Sequence, residues 1–289
     1  MKKILCLIIC LLLFVTGCAF QNSFSKIRRS NVVDYLYPKE KEVNIKQEKT
    51  HLHLPLKVGI AFVPKDKEEN KSGIFRNMPY PEDMSELQKQ SLLQKVKECF
   101  SSSKYVSNIQ TIPTNYLQAK GGFENLDQLS RMYGIDVIVL LSYDQMQFAH
   151  SNLLSLSYIS IVGAYIIEGE KNETQTLVDA VVYDIKSKKM LFRAPGFDKL
   201  KNSSTQFMQD VELQKDSQKG FDNAINDMNI NLNAALIQFR DNLEKNPAEN
   251  DVQITKSKEY VEKHGAGYND YLFLFISLIG LTLTIWKKK

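Results

Sequence analysis

Apolar and polar positions change period several times along this chain, and each change marks an element. Leu56-Lys57-Val58-Gly59-Ile60-Ala61-Phe62-Val63 alternates into an apolar run that stops at Pro64, which predicts a strand. A loop follows with Lys71-Ser72-Gly73 and Pro79-Tyr80-Pro81. Ser85 with Gln88 three residues on then gives the capping-box pattern of a helix start. Leu92, Val96, Cys99 and Phe100 continue that helix at spacings of three and four. Val106 to Ile112 predicts a second strand closed by Pro113. Asn125 predicts the cap of a short helix through Met132, ended by Tyr133-Gly134. Ile135 to Leu141 is continuously apolar, as a central strand covered on both faces would be, and its extension Ser142 to Phe148 alternates. Leu153 to Ile167 is apolar but broken by Ser155, Ser157, Ser160 and Gly163, so strand, buried helix and membrane-inserting hairpin all fit it. Thr174 to Asp184 and Lys189 to Arg193 flank Ile185-Lys186-Ser187-Lys188 as a β-hairpin. Phe221, Ile225, Met228, Leu232, Leu236 and Phe239 line one face of a helix from about Gly220 to Asn242.

This order predicts an α/β fold, a mixed β-sheet packed with helices over residues 56–243, with a C-terminal transmembrane helix. The pattern resembles the periplasmic domain shared by the TolB amino-terminal region and curli-secretion lipoproteins. Residues 18–55 are polar and charged, which predicts a tether. Within them, Arg28 to Pro38 is too apolar for a mere spacer and predicts docking on the domain or a partner. Residues 244–263 are again polar and read as a linker.

Both ends carry addresses. Lys2 and Lys3 precede the apolar run Ile4 to Val15, and Thr16-Gly17-Cys18 follows, so residues 1–17 read as a secretory signal cleaved between Gly17 and Cys18. Val15-Thr16-Gly17-Cys18 matches the bacterial lipobox, which makes Cys18 the lipidation site, palmitate among its acyl groups. The run is too short to cross a bilayer core of about 30 Å. Ala19 stands where an aspartate would suggest inner-membrane retention, so the resemblance to sorted lipoproteins implies an outer-membrane destination.

At residues 264–289 a small-residue motif, an apolar run and a basic end follow one another. Tyr271 to Trp286 has no charge; its 16 residues reach about 24 Å as a helix, spannable with interfacial aromatics and snorkelling lysines. Lys287, Lys288 and Lys289 predict a cytoplasmic end by the positive-inside rule. Gly265-Ala266-Gly267 weakens helicity where an intramembrane protease needs extended backbone. The arrangement resembles the tails recognised by rhombosortases, processing proteases of the rhomboid family. Those tails begin with adjacent glycines, and this one has Gly-Ala-Gly.

Composition sharpens the picture. The 289 residues are 43% apolar and 24% charged, which excludes disorder throughout. The chain has 37 basic and 33 acidic residues, a net of +4. Lys2, Lys3 and the three terminal lysines supply the excess, and residues 18–286 hold 32 basic against 33 acidic. The positive charge is topological, and a nucleic-acid partner is not expected. Cys6 and Cys10 leave with the signal and Cys18 is lipidated, so Cys99 stays alone as a small buried hydrophobe.

Several stretches together resemble the rhombotarget lipoprotein family. They are the lipobox, Ser30-Asn31-Val32-Val33-Asp34-Tyr35-Leu36-Tyr37-Pro38, Ile112-Pro113-Thr114 through Gly121-Gly122-Phe123 and Leu126-Asp127, Tyr133-Gly134-Ile135-Asp136 through Leu141-Ser142-Tyr143-Asp144-Gln145, Ile161 to Tyr165, and the tail. The resemblance implies an exported lipoprotein whose tail is a rhombosortase target, and implies no catalytic residues.

Candidate chemistry is sparse. His51 and His53 share one side of an extended segment, but no third ligand is close in sequence, and a solvated linker is the better reading. Asp144, Asp179 and Asp184 lie at or near strand ends, where acid–base pairs are often built and solvent-facing aspartates are the default. Gly121-Gly122-Phe123 lacks the lysine of a phosphate loop and reads as a turn. The expectation is a non-enzymatic lipoprotein without cofactor or metal. It starts as an inner-membrane precursor and ends at the outer membrane or cell surface. Its partners are the membrane, the lipoprotein processing machinery, a rhomboid-family protease and, as an open case, further copies of itself. The alternatives are a subunit of an envelope secretion or assembly channel, and an envelope hydrolase.

Overall fold

A computed structural model describes residues 24–38, 49–65, 84–101, 103–149, 173–202, 209–245 and 252–264. In chain order its elements are β1 (Phe24–Ser30), α1 (Val32–Leu36), β2 (Thr50–Leu54), β3 (Leu56–Phe62), α2 (Glu86–Phe100), β4 (Val106–Thr111), α3 (Gly122–Tyr133), β5 (Val137–Ala149), β6 (Glu173–Asp184), β7 (Lys189–Lys201), α4 (Gln209–Lys245), β8 (Val252–Lys256) and α5 (Lys258–His264). Six strands form a mixed sheet in the order β4-β3-β5-β6-β7, with β1 on β5 as well; β2 and β8 make a separate parallel pair. The mixed α/β sheet packed against helices agrees with the pattern of apolar runs.

Register explains how one long strand serves two neighbours. The first half of β5, Val137 to Leu141, pairs parallel with β3, and the second half, Tyr143 to Ala149, pairs antiparallel with β1. Its other edge pairs with β6 along twelve positions, from Val137–Asp184 to Phe148–Glu173. Alternate residues therefore face two cores. One holds Val58, Ile60, Val137, Val139, Leu141, Val178 and Val182 under Leu92, Leu93 and Val96 of α2 and Phe221, Ile225 and Met228 of α4. The other holds Ala61, Ile138, Leu140, Val181 and Tyr183 under Tyr35 and Leu36 of α1 and Phe123, Leu126 and Leu129 of α3. The result is three layers.

Several boundaries move when tertiary pairing acts. Residues 24–38 and 50–54, read as tether, are two strands and a helix of the fold. Arg28 and Arg29 on β1 meet Gln145, Gln147 and Asp144 of β5. Arg28 to Pro38 docks on the domain, one of the two alternatives its apolar content left open. Within the linker, β8 pairs with β2 over five positions, and Tyr260 of α5 is buried. Asn125 does not cap α3: the helix starts three residues earlier at Gly122, and Asn125 sits in its first turns with another duty described below. Gly134 ends α3, as predicted, and does so in the left-handed conformation, φ 62°. β7 continues past Arg193 through Pro195 and Gly196, which an edge strand tolerates. α4 begins at Gln209 rather than Gly220, because its polar first turns find polar partners on the sheet.

The sheet has two poles. β3, β4 and β5 start at the lower pole, where the β6–β7 turn, the end of α4, β8 and α5 also gather. Thr50 Oγ1 lies 2.8 Å from Ser187 Oγ of that turn, and Leu56 N–H donates to Tyr105 O at 2.8 Å. The far end of β5, with Phe24 opposite Ala149, is the upper pole. Thirteen residues of β5 set about 40 Å between them.

Among the described residues no helix is long and apolar enough to cross a membrane. Cys18, Leu153 to Ile167, Gly265-Ala266-Gly267, the tail Tyr271 to Trp286 and Lys287 to Lys289 lie outside the described residues.

Candidate functional site

β3 and β4 run parallel, but their connections leave over opposite faces, to α2 on one and α3 on the other. Open α/β sheets bind ligands in a crevice outside the carboxyl ends of their strands. Here the chain itself crosses that place. Ser30, Asn31, Asp34 and Tyr35 come over it from the β1–α1 corner and meet Pro64, Ala119 and Lys120, leaving a cleft of about 10 Å³. That takes one water, whereas small-molecule sites have about 300–1,000 Å³.

Local chemistry fixes this cover. Asn31 Oδ1 accepts from Val33 N–H at 2.9 Å and starts α1. The Tyr35 hydroxyl donates to Asn125 Oδ1 at 2.8 Å, and the same oxygen accepts from Gln118 N–H at 2.9 Å. The Asn125 amide donates to Tyr116 O and Gln128 Oε1, both at 3.4 Å. Burial pushes the Tyr35 phenol well above its ordinary value, so it stays a donor. Gly122, at φ +62°, lets α3 begin beneath α1, where a Cβ would stand 3.4 Å from Leu36 O. Tyr37 packs edge-on to Phe123 at 5.5 Å, and Phe123 to Tyr183 at 5.9 Å. Asp34 and Lys120 bring opposite charges to the rim.

A second polar cluster is enclosed between the upper half of the sheet and the first turns of α4. Arg28 donates to Gln145 Oε1 at 2.9 Å, Gln147 Oε1 at 3.1 Å and Ser217 Oγ at 3.1 Å. The Gln145 amide donates to Thr176 Oγ1 at 2.8 Å and Ser217 O at 3.0 Å, and that of Gln147 to Thr174 Oγ1 at 3.2 Å and Leu213 O at 2.5 Å. Gly220 keeps α4 close, since a Cβ there would come within 2.5 Å of Thr176 Oγ1. A buried network with its members paired specifies one docking register for the helix. Reading the sequence missed it, although Gln145, Gln147, Thr174 and Thr176 form a polar set on a strand face that is apolar further down.

The strand aspartates are distributed over both faces. Asp144 and Asp179 are diagonal neighbours across β5–β6 on the face of α1 and α3, while Asp184 lies on the other face at the lower pole. Asp144 Oδ2 accepts from Arg29 Nε at 3.0 Å, and both Asp179 oxygens accept from Arg193 Nε, at 2.9 and 3.0 Å. Burial raises the Asp179 carboxyl and Arg193 opposes the rise. Asp184 Oδ2 accepts from the N–H of Ser187 at 2.8 Å and its hydroxyl at 2.5 Å, closing the hairpin turn. These contacts give each aspartate a structural role. His51 and His53 are both exposed on one side of β2, as their spacing predicts. Among the described residues no three His, Cys, Asp or Glu side chains gather as a metal site. Cys99 is half-buried; its thiol donates to Asn229 O at 3.6 Å, and burial raises its pKa.

No family model matches this chain, and no curated protein matches it either. Among solved structures it is similar to a PelC dodecamer from Paraburkholderia phytofirmans, at 9% identity over 68% of this chain and 93% of that one, with a TM-score of 0.28. Protein XCC0632 from Xanthomonas campestris gives 8% identity over 71% and 96%, TM-score 0.31. Lipoprotein GNA1162 from Neisseria meningitidis gives 11% over 60% and 97%, TM-score 0.23.

Proposed function

We propose that this chain is a bacterial envelope lipoprotein held by a lipid on Cys18. It is made with a C-terminal sorting tail that a rhomboid-family protease removes at Gly265 to Gly267, and its body is a non-enzymatic folded module. The observation that carries this reading is the coexistence of the lipobox Val15 to Cys18 with the uncharged run Tyr271 to Trp286 and its basic end. The body supports it: its buried polar groups hold elements in register, and the crevice where a ligand would sit is covered by α1. Intact-mass analysis of membrane fractions tests both ends. The expected species begins at a lipid-modified Cys18 and ends near Gly265. Cys18→Ala loses the lipid mass, and replacing Gly265 and Gly267 by leucine retains the tail. A mature chain still ending in lysines, from cells with an active rhombosortase, overturns the processing half.

One observation favours the channel reading. Chain 150–172, which contains the apolar stretch Leu153 to Ile167, joins the upper ends of β5 and β6, the same pole from which β1 leads back to Cys18. The strand ends that lead to Cys18 and to the apolar stretch thus lie at one end of the sheet. Strictly monomeric behaviour with no membrane affinity, after removal of both chain ends, would count against a channel subunit.

A further inference from the structure

The two membrane attachments of this reading leave the body from opposite poles. Phe24 stands at the upper pole, six positions after Cys18, a contour of about 20 Å. The chain departs again at His264, at the lower pole. Six residues, 265–270, separate it from the apolar run at Tyr271, a reach of at most about 25 Å.

The lower pole is fastened up to that exit. β8 pairs with β2 from Thr50–Val252 to Leu54–Lys256, and Ser257 N–H donates to Leu54 O at 2.9 Å. The Ser257 hydroxyl accepts from Tyr260 N–H at 3.1 Å, and the buried Tyr260 ring lies beside Lys104 and Tyr105. What the sequence presents as a spacer is therefore a strap that delivers the tail from a fixed point on the body.

Among the described residues that pole is basic: Lys57, Lys104, Lys186, Lys245 and Lys258 are exposed there and Lys256 is half-buried, against the exposed acids Glu98, Asp136, Glu259 and Glu262. Asp241 is paired with Arg240 at 2.6 Å. A body of near-neutral sum thus turns a positive end toward the place where its tail enters a membrane.

We propose that the lower pole is a docking surface for an anionic phospholipid bilayer, engaged while the tail is attached and released when it is cut. This rests on the tail reading above. With the tail in the bilayer, the short connection keeps the lysines within reach of the headgroups, and each lysine near an anionic surface adds about fivefold to its attraction. Once the tail is lost, only the opposite pole is tethered, about 40 Å away.

Lysine acylation footprinting of the full chain tests this. The chain is reconstituted in vesicles of one part phosphatidylglycerol to three of phosphatidylethanolamine, and separately in phosphatidylcholine vesicles. Lys57, Lys104, Lys186 and Lys258 are expected to react at least about fivefold more slowly in the anionic vesicles, with the protection lost at high salt. Lys215 and Lys219, in the upper part of α4, are expected to react equally in both. Lys104→Glu with Lys258→Glu is expected to abolish protection at Lys57 and Lys186 while the circular dichroism spectrum is unchanged. Equal reactivity in both vesicle types, or equal protection at both poles, overturns the docking. A chain that carbonate washing strips from vesicles overturns the tail reading, and the docking with it.

Discussion

Asn125 shows how a residue's duty depends on what folds against it. In sequence it has the look of a helix cap; in the fold its side-chain oxygen receives both Tyr35 and the Gln118 backbone, and so ties α1 to α3 across the crevice. Tyr35→Phe leaves Asn125 Oδ1 with its other donor, and is expected to cost about 1 kcal/mol in urea unfolding. Asn125→Leu strands a buried hydroxyl and an N–H together, and is expected to cost about 2–4 kcal/mol, since each unpaired group costs about 1–3 kcal/mol. Titration supplies a second handle. Burial raises the carboxyls of Asp198 and Asp216 above their ordinary range. The folded chain then takes up these protons before the unfolded one does. The stability they give is fully present below the unfolded value of about 3.9, and is lost as pH rises through the folded values. Asp216→Asn keeps an acceptor for Asn202 and is expected to flatten this part of the stability-versus-pH profile measured by urea unfolding; an unchanged slope would remove Asp216 from the account.

Elements whose apolar period is strong kept their place, and those held by polar or distant partners moved. α2 carries the capping box read from Ser85 and Gln88, with Gln88 N–H donating to Ser85 Oγ at 3.2 Å and Ser85 N–H to Gln88 Oε1 at 3.1 Å. Its Ser85→Ala variant is expected to lose about 1 kcal/mol of stability. β1, by contrast, reads FSKIRRS, and nothing in that string marks a strand; its partner lies more than a hundred residues away on β5. β7 and α4 depend on a close approach at Gly196, where a Cβ would run into Ala224 O and the Met228 backbone and stand 2.5 Å from Met228 Cβ. Because the obstacle is helix backbone, Gly196→Ala is expected to push α4 off the sheet and destabilise by about 3 kcal/mol or more in urea unfolding. Gly220, facing a threonine hydroxyl, leaves more room for adjustment.

At the scale of the molecule, the body is larger than its apolar pattern suggests. Removing residues 19–38 takes away a strand paired at seven positions and the Tyr35 and Leu36 side chains of the second core. Such a chain is expected to bind a hydrophobic dye and to unfold without a sharp transition, whereas a true tether could be deleted without effect. The sequence by itself determined the three strands of the parallel core, the hairpin and the apolar face of α4, because each is written in neighbouring residues: a local period, a cap or a turn. Tertiary structure alone decided that β1, β2 and β8 are strands, that α1 covers the cleft beyond the carboxyl ends of β3 and β4, and that Arg28, Gln145 and Gln147 meet beneath α4. Those elements are polar or short, and their free energy comes from partners far away in the chain, so no window along the sequence contains both halves of the interaction. The same reason separates the two poles. The proposed lipid and tail lie at the two ends of the chain, and only the direction of β1 against β5, with the strap of β8 on β2, sets the described exits toward them, Phe24 and His264, at opposite ends of the fold.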